Sequence, residues 1–212
     1  MLKKTICILL ILLFTLPVIA SPTLEESSGA LLQTIWKTQT IDGLNGGIWV
    51  IPEDAINQYF AAHANSNKAK NPTLKLLGDN KMVVTFDSSL GRVGLTCEIK
   101  QFVHNQAESY AEVYIRKKEV ANKPILTWML KFISIGAIAD LYGNPLKDVK
   151  QFDARFDGNT LKVNFRPLVE KSLLSSNIGN KVEISRITTR EGALELHTNM
   201  KATDLLGIIM GI

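Results

Sequence analysis

The sequence predicts an α+β fold in which a long, strongly curved antiparallel sheet wraps around an apolar helix. Three observations predict it. From Lys81 to Arg116 apolar and polar residues alternate with period two, interrupted by short turns. Two of these runs extend over about 11–13 residues, twice the usual strand length, and long antiparallel strands coil. Further on, Pro124–Tyr142 (PILTWMLKFISIGAIADLY) is apolar almost all round, with Lys131 and Asp140 its only charges, which is too uniform for a surface helix.

The elements follow in order. Residues 1–20 (MLKKTICILLILLFTLPVIA) carry Lys3 and Lys4, an apolar stretch from Ile6 to Leu16, Pro17, and a Val18-x-Ala20 spacing before Ser21. These are the parts of a cleavable secretory signal peptide; a retained anchor is the alternative. Residues 21–46 read as an irregular N-terminal arm, in which Ala30–Lys37 is either a short amphipathic helix or a docked segment. A single domain is expected over 47–212. It opens with the apolar strand Gly47–Ile51 and continues into a helix from Pro52 to about Ala64. Pro52 suits a first helical position, Glu53 and Asp54 complement the helix N-terminus, and Ile56, Tyr59, Phe60 and His63 form one apolar stripe.

In the meander, Met82, Val84 and Phe86 share a face. Val93, Leu95, Cys97, Ile99 and Val103 share the next, with His104 opposite, and Ala107, Ala111, Val113 and Ile115 the third. Gly78-Asp79-Asn80, Ser88–Gly91 and Asn105-Gln106 mark the turns. The stretch 124–142 is either a membrane span, in which Lys131 costs roughly 2.5–3.5 kcal/mol, or a helix buried in the concave face with Lys131 snorkelling out. Phe152, Ala154 and Phe156, then a turn at Asp157-Gly158-Asn159, then Leu161, Val163 and Phe165 make a hairpin. A short helix from Pro167 to Leu174 follows, then a second hairpin around Glu191-Gly192, with Val182, Ile184 and Ile187 before the turn and Leu194, Leu196 and Met200 after it. The chain closes on the apolar tail Leu205–Ile212 (LLGIIMGI).

Composition narrows the function. Of 212 residues 46% are hydrophobic and 21% charged, which excludes a mostly disordered chain, and mean hydropathy is +0.09. Loss of residues 1–20 removes much of that apolar excess and lowers the formal charge from +4 to +2. Arg116-Lys117-Lys118 is the one local basic cluster, read as a solvated strand end or turn, so nucleic acid is not an expected partner. Cys97 is the only cysteine after the signal segment, so no intrachain disulfide forms, and its place on an apolar strand face makes it a small buried hydrophobe.

No catalytic constellation appears. His63, His104 and His197 are far apart in sequence, without HExxH or CxxC spacing, and each has a local explanation: a helix-stripe margin for His63, polar strand faces for the other two. GxSxG, GxGxxG and Walker patterns are absent, and Glu25-Glu26 and Glu53-Asp54 are adjacent carboxylates rather than facing ones. No enzyme, cofactor or metal is expected. What remains is apolar surface, and a groove lined by Met, Phe, Leu and Val suits an acyl chain.

The order of elements resembles the tubular lipid-binding superfamily. The strand and helix IWVIPEDAINQYF, the long-stranded meander, the apolar helix and the hairpin FDARFDGNTLKVNFRPLVEKSLL carry the likeness over roughly Gly47–Met200. Relatives of bactericidal/permeability-increasing protein and synaptotagmin-like lipid-transfer domains wrap a curved sheet around a long helix, and this chain looks like a small, single-module, exported bacterial member. The resemblance implies no catalytic residues. It implies an apolar lining: Ile56, Tyr59, Phe60, Met82, Val84, Phe86, Leu95, Val113, Trp128, Phe132, Phe156 and Phe165. The expected protein is thus periplasmic or extracellular, in the cell envelope, and non-enzymatic. Its partner is a lipid or another hydrophobic small molecule, with transient membrane contact through 124–142 or the tail left open. The alternative is an envelope interaction module with a filled core that docks partners through Leu205–Ile212 and the arm.

Overall fold

The computed structural model describes residues 34–63, 70–137, 153–166, 182–201 and 203–204. The expected signal peptide, Phe152, the helix Pro167–Leu174 and the tail Leu205–Ile212 lie outside the described residues, as do the side chains of Tyr59 and His63. The elements are α1 (Ile41–Asn45), β1 (Ile48–Pro52), α2 (Glu53–His63), β2 (Lys70–Leu76), β3 (Lys81–Ser88), β4 (Gly91–His104), β5 (Ser109–Val120), α3 (Pro124–Leu130), β6 (Asp153–Asp157), β7 (Thr160–Asn164), β8 (Ile184–Arg190) and β9 (Ala193–Thr198).

All pairings are antiparallel, and the sheet is open, in the order β1-β9-β8-β4-β5-β7-β6. At 14 and 12 residues, β4 and β5 are the long strands the alternation predicts. Length gives β4 a second role. One edge pairs with β5 throughout; the other is shared between β3, along Gly91–Glu98, and β8, at His104. The β2–β3 hairpin and the β8-β9-β1 group therefore leave the same edge side by side. Asn80 joins them. It sits at positive φ beside Asp79 in the β2–β3 turn, its carbonyl accepts Ile99 N–H at 2.8 Å, and its Oδ1 accepts Thr189 N–H at 3.2 Å.

Residues 34–37 form a helical turn whose Ile35 enters the core, and Thr40 then caps α1 by accepting Gly43 N–H at 3.1 Å. Pro52 is not the first residue of the helix. It ends β1 opposite Ala193, and α2 begins at Glu53. α2 buries Ala55, Ile56 and Phe60 and lies along β2. Asn57 acts as a short extra strand there, donating Nδ2–H to Leu74 O at 2.9 Å and accepting Leu74 N–H at 2.7 Å, while Glu53 accepts Leu76 N–H at 2.5 Å. The strand β2 has no counterpart among the elements expected from the sequence, and it pairs with β3. Gly47 needs to be glycine: its φ is +71° and a Cβ would lie 2.2 Å from Thr198 O.

Two bulges correct the sequence pattern. The first lies between Ile99 and Gln101 in β4, where Lys100 is the extra residue. An unpaired residue reverses which face its successors meet, so Phe102 and His104 turn inward in place of Val103. The second leaves Arg116 of β5 without a register partner and carries Lys118, expected to be solvated, onto the buried face beside Val120.

The stretch from Pro124 is not one continuous helix. α3 ends at Leu130, a turn follows, and Ser134 caps a new helical turn by accepting Ala137 N–H at 3.0 Å. α3 buries none of its residues, so its part of the stretch does not fill the sheet as expected. No helix among the described residues is long and apolar enough to cross a membrane.

Candidate functional site

One face of β2–β5 forms rows of cross-strand neighbours. Leu76, Met82, Cys97 and Ile115 make a buried row. The next, toward the β3–β4 turn, runs Leu74, Val84, Leu95 and Lys118, and beyond it Phe86, Val93 and Val120 are paired. Val84, Leu95, Phe86 and Val93 remain partly open to solvent. α2 thus closes one end of this apolar face and leaves the other part-covered.

The expected lining residues fall into three groups. Ile56, Phe60, Met82 and Phe165 are fully buried core, and Phe165 stacks on Phe102 with ring centroids 5.3 Å apart. Val84, Leu95, Val113 and Phe156 pack against that core while keeping some exposure, and Phe86 is similarly half-buried. Trp128 and Phe132 are 59% and 73% exposed and meet each other edge to face at 4.9 Å. The side chain of Tyr59 lies outside the described residues.

The sequence reading missed a polar group inside this face. Lys118 is 6% exposed, opposite Leu95 in register, and donates to Asn159 Oδ1 at 3.0 Å. The same oxygen accepts Ile135 N–H at 3.1 Å, and Gly136 N–H bonds Gly158 O at 2.8 Å. The chain after α3 is thereby pinned across the β6–β7 turn. Burial lowers the Lys118 pKa from its ordinary value, because a desolvated ammonium is disfavoured. A signal was present in the sequence: Lys118 and Val120 share strand parity, as Lys117 and Glu119 do on the other side. Only the bulge decides which pair goes in.

A second polar group is buried deeper. His104 and Ser109, each 2% exposed, close the β4–β5 hairpin with Nδ1 and Oγ 2.8 Å apart. His104 was expected on a polar face. His197 keeps that expectation, bonded through Nε2 to Thr188 Oγ1 at 3.0 Å. Burial raises the Cys97 thiol to about 12, leaving it un-ionised at neutral pH.

On the opposite face of the sheet, a cavity of about 470 Å³ is lined by Tyr110, Glu112, Arg155, Lys162 and neighbours. Its charges are already matched: Lys162 lies 3.5 Å from Glu112, and Arg155 lies 3.4 Å from Asp153. Among the described residues no group of three His, Cys, Asp or Glu is placed to hold a metal ion. Comparison of the chain with family models, with curated proteins and with solved structures finds no match in any of the three.

Proposed function

We propose that this is an exported, non-enzymatic protein that binds a lipid or another hydrophobic ligand against the part-covered inner face of its sheet, in the manner of tubular lipid-binding proteins, for envelope lipid transport or maintenance. One observation carries the reading. The face presents Val84, Phe86, Val93 and Leu95 in paired rows that stay partly open to solvent, while Ile125, Trp128 and Met129 of α3 are exposed. An acyl chain laid on those rows gains about 0.8 kcal/mol per buried CH₂ before association costs.

The test is lipid extraction and native mass spectrometry of the purified chain, with fluorescence of the neutral probe 1-N-phenylnaphthylamine. Co-purified lipid or a saturable fluorescence gain supports the proposal. No lipid together with no gain overturns it, and a mass shift from a bound protein that is lost on deleting residues 205–212 favours the interaction module instead.

A further inference from the structure

Lys118, 6% exposed, is the one lysine, arginine or carboxylate residue among the buried described residues. Its neighbours across the strands are Leu95, Val84 and Leu74, all apolar. Lys117 and Glu119, its neighbours in sequence, pair with each other at 2.7 Å. Among the described residues no carboxylate pairs with the Lys118 ammonium, and its single acceptor is the neutral Asn159 Oδ1, which Ile135 N–H already shares. An ammonium offers three N–H donors, so two remain for another group. A buried cation with one neutral acceptor is a costly arrangement unless an anion completes it.

We infer that Lys118 is the head-group site for the proposed ligand, and that the ligand is a single-chain anionic amphiphile. The ammonium would receive one carboxylate or phosphate oxygen, with the acyl chain running over Leu95 and Val84 toward Phe86 and Val93. Asn159 is the positioning residue: it holds Nζ against the β6–β7 turn rather than letting the lysine reach for solvent. Complementarity at one charge, with apolar contact elsewhere, selects for an acid over its ester, because the neutral ester leaves the ammonium unpaired.

This inference rests on the proposed hydrophobic-ligand reading, so the experiment separates the two. The wild-type chain is titrated with 1-N-phenylnaphthylamine, which is neutral, and with 11-(dansylamino)undecanoic acid, which is anionic. Bound dansyl probe is then displaced with oleate, oleoyl lysophosphatidate and methyl oleate. The expected result is displacement by an acidic lipid at a concentration at least about tenfold below that of methyl oleate. Whichever of oleate and lysophosphatidate competes better identifies the head group. Lys118→Met should lose affinity for the dansyl acid by a similar factor and keep the neutral probe, and Lys118→Arg should restore the acid. Equal displacement by oleate and methyl oleate overturns the inference while leaving hydrophobic binding intact. Failure of the wild type to bind either probe overturns both. The wild-type competition decides the matter even if Lys118→Met fails to fold.

Discussion

Gln39 closes the free edge of β1 through Val50: its Nε2 donates to the Val50 carbonyl at 2.6 Å, and its Oε1 accepts Val50 N–H at 3.0 Å. Asn57 does the same to Leu74 at the edge of β2. Two side-chain amides thus satisfy backbone groups that an open sheet would leave unpaired, and an unpaired edge is a template for another chain. Gln39→Leu and Asn57→Leu should each lower stability by about 1–3 kcal/mol, measured by urea unfolding. The double variant should in addition associate with rising concentration, measured by light scattering. Wild-type stability in both single variants would show that water replaces these amides without loss.

His104 and Ser109 should behave as a unit. Ser109→Ala leaves a buried imidazole nitrogen without its partner, at a cost of about 1–3 kcal/mol. Adding His104→Phe removes the stranded Nδ1 along with the rest of the imidazole and should recover part of that loss, since the new ring meets Phe165, whose centroid lies 6.3 Å from that of His104. A double-mutant cycle by urea unfolding reads the coupling. Purely additive losses would mean that the pair contributes nothing as a pair.

Much of the sheet was legible because its signals are local. Gly78-Asp79-Asn80, Gly158 and Gly192 sit at turns that need positive φ, and the alternation around them names the buried side of β3, β6, β7 and β9. What was not legible depends on contacts between segments distant in sequence. No strand is expected over Lys70–Leu76 from its own residues; its edge is completed by Asn57 and Glu53, which come from α2. Lys100 and Arg116 look like ordinary alternating positions until the register skips them, which moves His104 and Lys118 inward. Pro124–Leu130 has the composition of a buried helix, yet whether it is buried depends on where the chain after β5 is pinned. That is decided by Asn159, 24 residues beyond Ile135. The expected lining divided for the same reason: hydrophobicity identifies apolar positions, not which of them the rest of the chain covers.

Gly47→Ala should be among the most damaging single-methyl additions in the chain. The residue adopts positive φ, and the new Cβ meets the backbone carbonyl of Thr198, whose N–H donates to Gly47 O at 2.8 Å. Neither constraint yields without parting the start of β1 from the end of β9, so a loss of at least about 2 kcal/mol is expected. Gly192→Ala provides the control, with a similar φ of +73° but open space around its Cβ. Thermal melts of the two separate backbone strain from steric clash: equal losses would eliminate the clash as a cause.

Acid should destabilise the protein in two stages. Burial, then the nearby Arg186, lower the His197 pKa below its usual 6.5. The unfolded chain therefore takes up a proton that the folded one resists, and stability falls as pH drops below that value. Glu98 acts further down. Hydrogen bonds from Arg116 and from Lys100, the latter at 2.6 Å, hold its pKa at about 2 against an ordinary 4.5. Its stabilisation is complete above pH 4.5 and disappears as pH falls through 2. Urea midpoints across this range should show Glu98→Gln flattening only the lower stage and His197→Gln only the upper one. A lower stage unchanged by Glu98→Gln would assign acid sensitivity to other carboxylates.

Trp128 offers a direct view of the apolar surface that the fold leaves open. Its ring is 59% exposed and contacts Phe132 rather than the core, so truncation removes little packing. Trp128→Ala should change stability by less than about 0.5 kcal/mol. The Trp128 contribution to emission, isolated in a Trp36→Phe, Trp49→Phe background, should be red-shifted and readily quenched by acrylamide in the unliganded chain. If α3 closes over an acyl chain on the Val84–Leu95 rows, saturating oleate should shift that emission to the blue and protect it from acrylamide. Unchanged quenching, under conditions where oleate displaces a bound probe, would place the ligand against the sheet alone and leave α3 outside the site.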